Sequence, residues 1–101
     1  MKLSLKSREF KTLFLSYKSL STGDLLFRYK RGISPRLGII VSREYGNAVK
    51  RNLFKRRCRT LFESYFNQKN LIIVIQPLKG SLGWQNIYSG FSKLNNSITL
   101  A

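Results

Sequence analysis

Lys50, Arg51, Lys55, Arg56, Arg57 and Arg59 crowd into one short stretch of chain, bracketed by Gly46-Asn47 and Glu63. A guanidinium presents a planar fork of donors that grips phosphate oxygens, and an ammonium is a mobile point charge. The chemistry open to such a set is recognition of a polyanion. The residues that usually perform bond-breaking chemistry are sparse. There is no histidine, which removes the commonest general acid–base group and the commonest metal ligand. The acids are Glu9, Asp24, Glu44 and Glu63, spread over different stretches, whereas a two-metal nuclease site needs several carboxylates converging on ions about 4 Å apart. Cys58 has no histidine to activate it and reads as a small buried apolar residue.

Charge sets the expected partner. Nineteen Lys and Arg oppose four acids, for a formal net charge of +15 and a pI near 10.7. Self-repulsion on that scale opposes compaction unless a polyanion offsets it. A hydrophobic fraction of 43% over 101 residues nevertheless suffices for one packed domain, expected to span 1–101. No apolar run approaches the roughly 20 residues that cross a bilayer, and Met1 to Lys6 has no signal-like apolar segment. A lone cysteine excludes an internal disulfide and suits a reducing compartment. The expectation is a cytoplasmic nucleic-acid-binding protein with no membrane partner.

Several elements must position these residues. Phe10, Leu13, Phe14 and Tyr17 recur at i, i+3, i+4 and i+7, which predicts a helix over Ser7 to Lys18, with Ser7 as cap and Ser19 to Gly23 as the following loop. Leu25 to Lys30 alternates as a strand, with Leu25, Phe27 and Tyr29 on one face and Leu26, Arg28 and Lys30 on the other. Leu37 to Ser42 reads as a mostly apolar, central strand. Asn47 caps a long helix over Ala48 to Phe66. Leu71 to Ile75 is a strand buried on both faces. Trp84, Ile87, Tyr88, Phe91 and Leu94 give a final helix. The order α-β-β-α-β-α makes an α+β (α/β) sandwich, with a mixed sheet and one βαβ crossover around the basic helix.

On that helix, at about 100° per residue, Phe54, Cys58, Leu61 and Tyr65 form an apolar stripe. Asn52, Lys55, Arg56 and Arg59 gather opposite. A basic face is by default a solvated helix surface, but two features argue otherwise here. Only Glu63 opposes the cations, so i,i+4 pairing cannot account for them. Lys50 and Arg51 occupy the first turn, where the helix dipole disfavours cations by roughly 0.3–1 kcal/mol. A phosphate backbone would supply the compensation.

The run Gly46-Asn47-Ala48-Val49-Lys50-Arg51-Asn52, followed by Lys55-Arg56 and Arg59 and preceded by Val41-Ser42-Arg43, resembles the signature helix of the bacterial ribonuclease P protein. The family pattern is roughly G-N-A-V-x-R-N-R-x-K-R-x-x-R. The other elements follow the family order over most of the chain. Leu53 stands where the family has a second arginine, Glu44 where it has a basic residue, and the N-terminal basic segment and tail are thin.

The resemblance implies a noncatalytic protein subunit that helps a catalytic RNA remove the 5′ leader of precursor tRNA. Its partners would be the ribonuclease P RNA and precursor tRNA. No cofactor would sit in the protein, and magnesium would be held at the RNA active site. The RNA-binding residues by position are Arg43, Lys50, Arg51, Asn52, Lys55, Arg56 and Arg59. A cleft between the first helix and the sheet would bind the leader through Phe10, Phe14, Phe27 and Tyr29, with Lys11, Lys18, Arg28 and Lys30 along its backbone. Exposed aromatics stack on unpaired bases with little sequence preference, although four apolar residues at helical spacing usually face a core. The resemblance also implies a fold similar to a domain of a small-subunit ribosomal protein, with a left-handed crossover. The alternative function is a structural RNA-binding protein, ribosomal or an assembly factor.

Overall fold

The computed structural model describes residues 17–100, with side chains through residue 98. The elements are β1 (Lys18–Ser21), β2 (Leu25–Arg31), β3 (Arg36–Ile39), a 3-10 turn (Arg43–Tyr45), α1 (Ala48–Phe66), β4 (Leu71–Pro77) and α2 (Trp84–Leu100). The strands form one mixed sheet in the order β1-β2-β4-β3. β1 and β4 run antiparallel to β2, and β3 runs parallel to β4. The β3-α1-β4 segment is therefore the expected βαβ unit. Among the described residues no helix is long and apolar enough to cross a membrane.

Two strand assignments need correction. Lys18–Ser21 is a strand, where the periodicity predicts the end of a helix and a loop. Its Lys-Ser-Leu-Ser sequence has little β-propensity and only Leu20 is half-buried. The strand exists because it completes a hairpin, with Lys18 opposite Tyr29 and Ser21 opposite Leu26. The Thr22 N–H donates to the Leu25 carbonyl at 2.9 Å, and Gly23 takes φ 91°, a conformation open to glycine at little cost. The remainder of the predicted first helix, with Phe10, Lys11 and Phe14, lies outside the described residues. The second correction is that β3 is an edge strand. β4 takes the central place between β2 and β3, and its run from Leu71 to Ile75 is buried on both faces, as its unbroken apolar sequence requires.

Cross-strand register fixes the faces. Phe27 lies opposite Ile75, which lies beside Ile39; Tyr29 lies opposite Ile73, which lies beside Leu37. This face receives both helices: Phe54, Cys58, Leu61, Phe62 and Phe66 from α1, and Ile87, Phe91 and Leu94 from α2. Phe27 meets Phe91 edge-on at 5.4 Å between ring centroids. Approach is close at Gly90, where an added Cβ would come within 2.7 Å of Leu25 Cδ1. On the opposite face lie Arg28, Val74 and Gly38, which share a register row.

Asn47 caps α1 as the sequence predicts: the Lys50 N–H donates to Asn47 Oδ1 at 2.9 Å. The apolar stripe is broader than predicted, because Phe62 and Phe66 are fully buried while Tyr65 is half-buried at the seam with Tyr88.

Candidate nucleic-acid interface

The side of α1 away from the core carries the expected ligands of a polyanion. Asn52, Arg56 and Arg59 are exposed on it, together with Lys50 in the first turn and Arg43 in the 3-10 turn just before it. Lys55 is half-buried at one edge of this face, not at its centre. Arg51 is also half-buried, and its Nη1 donates to the Gly46 carbonyl at 2.7 Å. That bond clamps the entry loop to the helix, so Arg51 has a structural task beside any contact with phosphate. Arg57 flanks the other edge, with its guanidinium 5.8 Å from the centre of the Trp84 ring. Among the described residues the one ion pair joins Lys79 Nζ to Asp24 Oδ1 at 3.2 Å, away from α1. The cations of α1 are therefore uncompensated within the described fold, and Glu63 sits exposed among them without pairing.

A second feature lies at the other end of the sheet. An open pocket of about 440 Å³ is lined by Tyr17, Lys18, Tyr29, Lys30, Arg31, Leu71 and Ile98. Aromatic rings and cations together suit unpaired nucleotides, since rings stack on bases while cations follow the backbone. Of the predicted leader residues, Tyr29, Lys18 and Lys30 meet here. Phe27 does not: it is 0% exposed and belongs to the core, because β2 turns that side chain under α2. Arg28 faces the opposite side of the sheet, where its Nη1 donates to Gln76 Oε1 at 3.3 Å. Phe10, Lys11 and Phe14 lie outside the described residues. Arg31 and Tyr17 join the pocket without having been anticipated. The signal for Arg31 was available, since it lies two residues beyond Tyr29 on a strand that extends to Arg31.

Among the described residues the acids do not assemble a site. Asp24 is committed to Lys79 and accepts from Asn86 Nδ2 at 3.1 Å. Its hydrogen bond to Lys79, then that to Asn86, hold its carboxyl below the usual range. Among the described residues no group of His, Cys, Asp or Glu could hold a metal ion. Cys58 is 0% exposed, and burial pushes its thiol pKa far up, which suppresses the thiolate that nucleophilic chemistry needs.

Comparison with known proteins gives a consistent result. A family model described as Ribonuclease P matches residues 2–98. The ribonuclease P protein component of Acholeplasma laidlawii is 31% identical, over 90% of this chain and 84% of that protein. The fold superposes on the RNase P protein of Thermotoga maritima with a TM-score of 0.74 at 26% identity, covering 90% of this chain and 93% of the other. It superposes on that of Staphylococcus aureus with a TM-score of 0.80 at 20% identity, covering 97% and 96%. A mutant of the Staphylococcus protein, described as defective in mRNA degradation activity, gives 0.81 at 20% identity over 96% and 88%. With almost its whole length matched in sequence and its sheet and helices matched in space, this chain belongs to the bacterial ribonuclease P protein family.

Proposed function

We propose that the chain serves as the protein component of ribonuclease P in 5′ maturation of tRNA, and that it works by position and charge. The outward face of α1 neutralises phosphates of the RNA subunit. The pocket at Tyr29 holds the single-stranded 5′ leader, so precursor binds more tightly than mature tRNA. The observation that carries this reading is the uncompensated basic face, rooted in a packed core, in a chain of this family. Bond cleavage belongs to the RNA, which also holds the magnesium. The carboxylates support that division: Asp24 is tied up in hydrogen bonds, and Glu44 and Glu63 sit exposed on separate elements. The family assignment also favours this role over that of a ribosomal or assembly protein.

The test is reconstitution. Purified protein is mixed with a bacterial ribonuclease P RNA at a magnesium concentration where the RNA alone is slow, and cleavage of precursor tRNA is followed. The mixture should cleave at the mature 5′ end and the protein alone should not. The mRNA degradation activity attributed to the Staphylococcus protein makes the RNA-free control a stringent one. Metal-dependent 5′ processing by protein free of all RNA would overturn the division of labour.

A further inference from the structure

Between α1 and the loop that leads into α2 lies a groove of about 190 Å³, whose lining includes Lys50, Leu53, Arg57 and Leu82. Its volume is several times the roughly 30 Å³ of a water molecule. Leu53 is half-buried there, with an apolar side chain where the family pattern carries an arginine. The far wall is fixed by Tyr45. Its carbonyl accepts from the Ser81 N–H at 3.1 Å and from Ser81 Oγ at 3.4 Å, and its hydroxyl accepts from the Leu82 N–H at 2.9 Å. Ser81 is held at φ 50°, a left-handed conformation that a non-glycine residue keeps only when its surroundings impose it. The groove is thus built rigidly. On its rim, Arg57 lies over Trp84, a ring still 39% exposed.

We propose that this groove takes one unpaired nucleobase of the bound RNA, seated over Leu53 and stacked against Arg57. The inference rests on the reading of α1 as an RNA interface and adds to it a contact with a base. Three properties select this occupant. The groove opens beside the cations of α1, so a strand whose phosphates are held by Arg56 and Arg59 has its bases within reach. Its lining is apolar below and cationic at the mouth, which matches a flat heterocycle carried on a phosphodiester and repels a second copy of this +15 chain. A guanidinium plane is a stacking platform for splayed-out bases, and Arg57 is already engaged with an aromatic ring, 5.8 Å from the centre of Trp84. Arginine at position 53 would fill the groove and convert it into one more phosphate contact.

The experiment compares a short single-stranded RNA with an abasic ribose-phosphate strand of equal length, both titrated with the full-length protein. The base-bearing strand should bind about five- to a hundredfold more tightly. Leu53→Arg should lower that ratio to what stacking in the Tyr29 pocket alone supplies. Arg57→Lys keeps the charge but removes the plane, and it should lower the ratio in the same direction, so the test does not depend on one variant folding. Arg59→Ala should weaken both strands alike and leave the ratio in place. A ratio that survives both Leu53→Arg and Arg57→Lys, or that is near one in the unsubstituted protein, overturns the base pocket. Failure of Arg59→Ala to weaken either strand would instead contradict the reading of α1 on which the pocket rests.

Discussion

Arg59 and Arg51 are neighbours in charge but differ in what they hold. Arg59 stands exposed on α1, so Arg59→Ala should leave the melting temperature nearly unchanged while weakening assembly with the RNA subunit. Arg51 donates to the Gly46 carbonyl, and a hydrogen bond from a charged group is worth roughly 1.5–3 kcal/mol. Arg51→Ala should therefore lower stability as well as assembly, and thermal unfolding of the two variants separates them. Cys58 gives a second test. Burial suppresses its thiolate, so alkylation by iodoacetamide at mildly alkaline pH should proceed only as fast as the protein opens. Rapid labelling of the folded chain would contradict its place in the core. The sequence pointed correctly to Cys58, because its spacing from Phe54 and Leu61 put it on the apolar side of α1. It misled at Phe27: an aromatic residue on an alternating strand looks the same whether a helix or a nucleotide covers it. What separates Phe27 from Tyr29 is α2, which places Phe91 over the first and leaves the second beside a pocket.

The elements were legible in proportion to their apolar content. α1 has the predicted bounds, since Asn47 supplies a cap at one end and the periodic stripe continues to Phe66. Asn47→Ala should cost about 0.5–2 kcal/mol, read from chemical denaturation. β1 was not legible, because a short exposed strand draws its order from pairing with β2 and not from its own side chains. β3 was mistaken for a central strand: apolar sequence reports how well a strand is covered and not how many strands flank it. The same distinction yields a paired prediction on β2. Phe27→Ala opens a cavity in the core and should cost roughly 3–5 kcal/mol, with all RNA activities falling together. Tyr29→Ala should cost much less and should narrow the preference of the assembled enzyme for precursor over mature tRNA. Equal behaviour of the two variants would remove the leader from this pocket.

Among the described residues, the apolar core cluster lies between the sheet and two helices, and the outward side of α1 is left to Arg56, Arg59 and their neighbours. That separation lets a chain of +15 fold while leaving the cations of α1 uncompensated on its outward side. The central claim is that this face, and not charge spread evenly over the surface, binds the RNA subunit. Its most direct test is the salt dependence of affinity for ribonuclease P RNA, measured for the protein and for Arg56→Ala and Arg59→Ala. Log affinity should fall steeply with log salt, by roughly 0.7–0.9 for each phosphate contact. Each substitution should make the slope shallower by about one contact. Slopes and affinities unchanged in both variants would contradict the assignment of the outward face of α1 as the RNA-binding surface.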